Sequence, residues 1–72
     1  MSLQIQGDRQ IYRLRRTPDG TLVGSSRYET ADGSFVGTGN ATFVDIEALE
    51  ERVDAWRYRG ADVVVEIDGN RV

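Results

Sequence analysis

Residues 44–60 read VDIEALEERVDAWRYRG, and the spacing of their apolar side chains decides the fold. Ile46, Leu49, Val53 and Trp56 recur at intervals of three and four, with Ala48 and Ala55 as small neighbours, which is the period of one helical face. Asp45 stands where an N-cap is wanted, and Val44 with Leu49 can close a hydrophobic staple around it. Gly60 supplies a left-handed stop. Together these signals predict a helix over about residues 46 to 59.

On either side of this stretch the period is two. Ile11, Arg13 and Arg15 alternate with Tyr12, Leu14 and Arg16, a half-buried strand pattern. Thr17-Pro18-Asp19-Gly20 then turns the chain, because Pro presets φ, Asp bonds back to the backbone and Gly accepts a positive φ. A returning strand is expected from about Thr21 to Glu29, with Leu22, Gly24, Ser26 and Tyr28 on one side. Ala31-Asp32-Gly33 makes a second turn into a third strand. That strand puts Phe35, Gly37, Gly39, Ala41 and Phe43 on one face and Val36, Thr38, Asn40 and Thr42 on the other. After the helix, Val63, Val65 and Ile67 alternate with Val64 and Glu66 until Asp68-Gly69-Asn70 ends the run. Leu3 to Gln6 alternates as well and predicts an extra short strand before Gly7-Asp8. The expectation is one small α+β domain over residues 1–72. An antiparallel β-meander packs one helix on one face, in the order β-β-β-α-β. Leu14, Leu49, Val53, Trp56, Val65 and Ile67 are the expected core, and Gly24, Gly37 and Gly39 are read as bulges or places where the helix packs close to the sheet.

Composition bounds the chemistry. The chain has 72 residues and Cys 0, so no disulfide or thiolate metal site can staple it. Leu, Ile, Val and Phe make up a quarter of the chain, enough for a folded core. His is absent and all 9 basic residues are arginine, so no imidazole base, Schiff-base lysine or Walker lysine exists. Ser25-Ser26 therefore has no His or Lys to activate a hydroxyl. Gly37-Thr38-Gly39 lacks the third glycine at a helix mouth that a dinucleotide fingerprint needs. Asn40-Ala41-Thr42 matches a glycosylation acceptor, which matters only in a secreted chain. The expectation is a protein without enzymatic activity, cofactor or metal. With no signal-peptide pattern at its start and no apolar run of membrane length, it is expected in the cytoplasm.

The charge is uneven. The net charge is -3, yet residues 1–30 carry five Arg against Asp8, Asp19 and Glu29, while residues 31–72 carry four Arg against nine acids. Glu47, Glu50, Glu51 and Asp54 fall three or four apart and share one outward helical face. Their position early in the helix, with Arg52, Arg57 and Arg59 late, also suits the helix dipole. Those carboxylates diverge, which suits a basic protein partner better than a metal or an acid–base pair. Tyr58 beside Arg57 and Arg59 has the composition of an interface hot spot. The leading expectation is thus a protein-interaction module acting by surface occlusion through Glu47, Glu50, Glu51, Asp54, Arg57 and Tyr58. In size and in its β-plus-helix economy it is similar to small phage-encoded inhibitors of host defence. Strands at both edges of a short chain make a homo-oligomer a further expectation.

Arg13, Arg15 and Arg27 are expected to share the sheet face away from the helix, with Arg16 near the turn. A three-stranded sheet carrying arginines and backed by a helix, over about residues 9 to 59, resembles the arm-type DNA-binding domains of tyrosine integrases. That resemblance implies nucleic-acid binding through Arg13, Arg15 and Arg27 as the alternative function. The acidic total and the strand after the helix stand against it, and Glu29, Glu66 or Asp8 can pair those arginines across strands.

Overall fold

The computed structural model describes residues 6–72. Its elements are β1 (Arg9–Arg16), β2 (Leu22–Glu29), β3 (Val36–Phe43), α1 (Ile46–Tyr58), β4 (Asp62–Ile67) and β5 (Asn70–Arg71). The five strands form one sheet in the order β3-β2-β1-β4-β5, with α1 on one face. The meander β1–β2–β3 is antiparallel, and β4 returns to lie parallel beside β1. The chain thus spends the helix on a crossover, as a parallel neighbour requires. The strand expected over residues 3 to 6 falls largely outside the described residues; Gln6 and Gly7 lie in a turn.

Each turn of the meander is closed by a side chain. Asp19 Oδ1 accepts from the Thr21 N–H at 3.0 Å and from the Thr17 hydroxyl, while Gly20 takes φ +91°. Asp32 repeats the device, accepting from the Ser34 N–H at 2.9 Å and the Thr30 hydroxyl at 3.0 Å. Hydrogen bonds from Ser34 first and Thr30 next hold the Asp32 carboxyl down at about 2. The helix begins as expected: Asp45 is extended at φ -159° and accepts from the Ala48 N–H at 2.8 Å. Val44 is 73% exposed, so the staple over Leu49 does not form; Leu49 turns into the core instead.

Two further expectations are corrected. Asp68-Gly69 ends β4 as expected, but β4 is not the last strand: at φ 54° and 82° the pair turns the chain back into β5, where Arg71 pairs with Glu66 and Asn70 with Ile67. Two consecutive positive φ values are the mark of a two-residue hairpin. Gly24 marks neither a bulge nor a helix contact, because its register with Leu14 is unbroken. A Cβ there would lie 2.0 Å from the Arg13 carbonyl oxygen, so it is the backbone of β1 that excludes a side chain.

The core is Tyr12, Leu14, Leu22, Leu49, Val53, Val65 and Ile67, with Ala41, Phe43, Trp56 and Val63 packed against it. Tyr12 and Leu22 join the expected set. Trp56 leaves it, being half-buried: its Nε1 donates to the Tyr12 hydroxyl at 2.9 Å, its ring meets Tyr28 at 5.3 Å, and the Arg59 guanidinium lies 5.8 Å from the ring centroid. Asp8 ties β1, β2 and β4 together at one end of the sheet. Its carboxylate accepts from the Tyr28 hydroxyl and, at 2.9 Å, from the Ala31 N–H, while its carbonyl accepts from the Asp62 N–H at 2.8 Å.

Leu49 is 2% exposed between helix and sheet. Leu49→Ala is expected to cost about 2–5 kcal/mol, read as a lower denaturant midpoint at unchanged slope. Gly24→Ala, with no space for its methyl, is expected to destabilise by at least about 1–3 kcal/mol in the same measurement. The hydrogen bond to Asp8 first, then burial, raises the Tyr28 phenol above 10.0, against a smaller opposing effect of Arg59. The phenol is thus stabilised in its protonated form by folding. That contribution is full below the unfolded value and is lost as pH rises through the folded one. Phenolate absorbance should show a late-titrating component from Tyr28, which Asp8→Asn moves to lower pH.

Candidate functional site

The sequence places acids on one side of α1, and packing decides which side faces out. Leu49 and Val53 point into the core, so residues half a turn away form the crest. Glu47, Glu51, Asp54 and Tyr58 follow one another there at steps of four, three and four. All four are exposed, Tyr58 by 93%. Glu50 lies on one shoulder, beside Arg57 and the rim of an open groove that includes Ile46, Val53, Ile67 and Val72. The structure therefore brings Glu47, Glu51, Asp54 and Tyr58 into one line and leaves Glu50 and Arg57 flanking it. Among the described residues none of Glu47, Glu50, Glu51 and Asp54 takes part in an ion pair, and no three carboxylates converge as metal ligands would.

The opposite face of the molecule is the side of the sheet that the helix does not cover. Alternation in the pleat sends Gln10, Tyr12 and Leu14 of β1 toward the helix and Arg9, Ile11, Arg13 and Arg15 away from it. The register then assembles rows across the sheet. Arg13 stands between Ser25 and Glu66, with Arg71 beyond Glu66. Arg27 stands between Ile11 and Thr38, and Arg9 between Glu29 and Asp62. Arg15 faces Val23. Arg13, Arg15 and Arg27 do share this face, as their parity predicts. Arg9 and Arg71 join them unanticipated: Arg9 has the same parity as Arg13, whereas Arg71 reaches the face through β5.

Five arginines and three acids make this face positive but interleaved. Arg27 Nε lies 2.6 Å from Glu29 Oε1, and Arg13 Nε lies 3.8 Å from Glu66 Oε2. Asp8, the third expected acid, is instead engaged with Tyr28 and Ala31. No strand residue on this face is aromatic, because Tyr12, Tyr28 and Phe43 all point to the helix side. The face therefore offers charge and hydroxyl groups but no ring on which a base could stack. Ser25 and Ser26 lie on opposite faces of β2, and Gly37-Thr38-Gly39 lies within β3 rather than in a loop. Compared with known protein families, with curated proteins and with solved structures, the chain matches none.

Proposed function

We propose that this domain is a protein-interaction module without enzymatic activity, which occupies a basic surface on its partner through the crest of α1. The observation that carries the reading is Tyr58, 93% exposed and in line with three carboxylates that no cation of the described residues pairs. An aromatic held on a rigid helix is a low-entropy anchor, and Tyr is enriched where interfaces concentrate their affinity. The unpaired carboxylates steer a positive surface toward it, and the net charge of -3 adds to that steering. Occlusion of a basic surface makes the module an inhibitor or regulator of a protein that handles nucleic acid.

The second reading, nucleic-acid binding, is favoured by Arg9, Arg13, Arg15, Arg27 and Arg71 projecting from one uncovered face. The interleaved acids and the missing aromatic platform weigh against it.

The two readings separate by charge reversal. Affinity capture with the intact chain should retain a protein with a basic patch. Tyr58→Ala should weaken that complex about tenfold or more, and Glu47→Arg with Glu51→Arg and Asp54→Arg should abolish it. Arg13→Ala with Arg15→Ala should leave it intact. The reading fails if labelled DNA or RNA binds at micromolar concentration in physiological salt, and the arginine pair removes that binding with a flatter salt dependence.

A further inference from the structure

Among the described residues, one edge of the sheet carries none of the usual protection. β3, VGTGNATF, runs for 8 residues with no charge, no proline and an unbroken register against β2. Such an edge is a template for another strand. The opposite edge, in contrast, closes with the 2 residues of β5. Hydrogen bonds from Thr17 N–H to the Thr21 carbonyl and from Thr30 N–H to the Phe35 carbonyl fix the phase of both ladders. Alternation from those pairs turns the backbone groups of Leu22, Gly24, Ser26 and Tyr28 toward β3. It leaves the N–H and C=O of Val36, Thr38, Asn40 and Thr42 pointing outward, with no strand beyond them among the described residues.

Three of the exposed large apolar side chains stand at the two ends of the same strand. Phe35 and Val36 are 57% and 47% exposed before it, and Val44 is 73% exposed after it. Beside its last residue lies a groove of about 500 Å³, lined by Phe43, Val44, Ala48, Glu51, Arg52 and Ala55. An antiparallel two-fold brings opposite ends of a strand together. Centred on Gly39, it sets Val36 against Thr42, Thr38 against Asn40 and Phe35 against Phe43, each across the axis. Residues with outward backbone groups then meet one another, as hydrogen-bonded pairs require. The axis runs perpendicular to the sheet, so the partner's Phe35 projects on the helix side, beside Phe43 and into the groove. The small Ala48 and Ala55 leave room for it there. A strand free of charge also lets two chains of net charge -3 approach without opposing like charges.

We propose that β3 is a dimerisation edge, on which a second copy of this chain adds antiparallel about Gly39 and seats its Phe35 in the groove beside Phe43. The product is a continuous ten-stranded sheet with both helices on one side and both arginine faces on the other. The groove borders Glu51 of the helix crest and leaves Tyr58 outside it.

Sedimentation equilibrium of the full chain tests it. The wild type is expected at twice the 8.0 kDa chain mass. Thr38→Lys with Asn40→Lys sets lysine against lysine twice and should give a folded monomer by circular dichroism. Thr38→Lys with Asn40→Glu sets opposite charges in the same register and should restore the dimer. Phe35→Ala, at an exposed position, should weaken dimerisation about tenfold without touching the fold. The proposal is overturned by a wild type that stays monomeric up to about 1 mM. A dimer that the lysine pair leaves unchanged, or a Lys/Glu pair that stays monomeric, overturns it equally. Should the lysine pair unfold the chain, Phe35→Ala decides alone, and an unaffected dimer is then the negative result.

Discussion

Tyr12 is the side chain on which the sheet, the helix and the far hairpin all lean. It is 4% exposed at the middle of the central strand, with Ser26 on one side and Val65 on the other. Its ring meets Phe43 edge to face, with centroids 5.4 Å apart, and so reaches β3 across two strands. Its hydroxyl needs a partner because it is buried, and the Trp56 indole supplies one. That requirement explains the position of Trp56. An indole held with its N–H on Tyr12 cannot sink fully between helix and sheet, so its ring rests against Tyr28 and under the Arg59 guanidinium. Tyr28 in turn donates to Asp8, which reaches Ala31 and Asp62. A chain of aromatic and polar contacts thus runs from the helix to strands β1 to β4, in a protein with no disulfide to do that work.

What the sequence makes legible is what neighbouring residues decide among themselves. The helix is legible because Asp45, the 3.6-residue period and Gly60 all act within one turn of the residues they cap or stop. The meander is legible because Thr17-Pro18-Asp19-Gly20 and Ala31-Asp32-Gly33 fix each reversal locally, and parity then assigns Arg13, Arg15 and Arg27 to one face. The parallel pairing of β1 with β4 is decided by packing across the whole chain, and no local pattern encodes it. Gly24 shows the same limit: its necessity lies in the Arg13 carbonyl on the next strand. Trp56 has helical spacing suited to the core, but spacing does not record where its N–H must go. The β5 hairpin does have a local signal in Asp68-Gly69, which is hidden by a returning strand too short to alternate.

The charge separation follows from the same architecture. With one helix on one side of one sheet, the apolar layer between them keeps the acids of the crest apart from the arginines of the bare face. Glu47 in the first turn and Arg57 in the last also oppose the helix dipole correctly. The crest charges therefore serve the helix as well as any surface that meets it. On the sheet, by contrast, Glu29 and Glu66 sit against Arg27 and Arg13, so much of that positive charge is balanced within the face.

The parallel neighbour of β1 has a further consequence for how the molecule comes to exist. Residues 9–14 pair with residues 62–67, so the central strand is flanked on both sides only after nearly the whole chain is available. Closing so long a loop before any of its contacts contributes sets a high entropic barrier, and folding of this small domain should be slow for its length. During synthesis, a nascent chain cut short before β4 would present an unpaired inner edge along β1. The order of the strands thus makes the pairing of β4 the step that commits the rest.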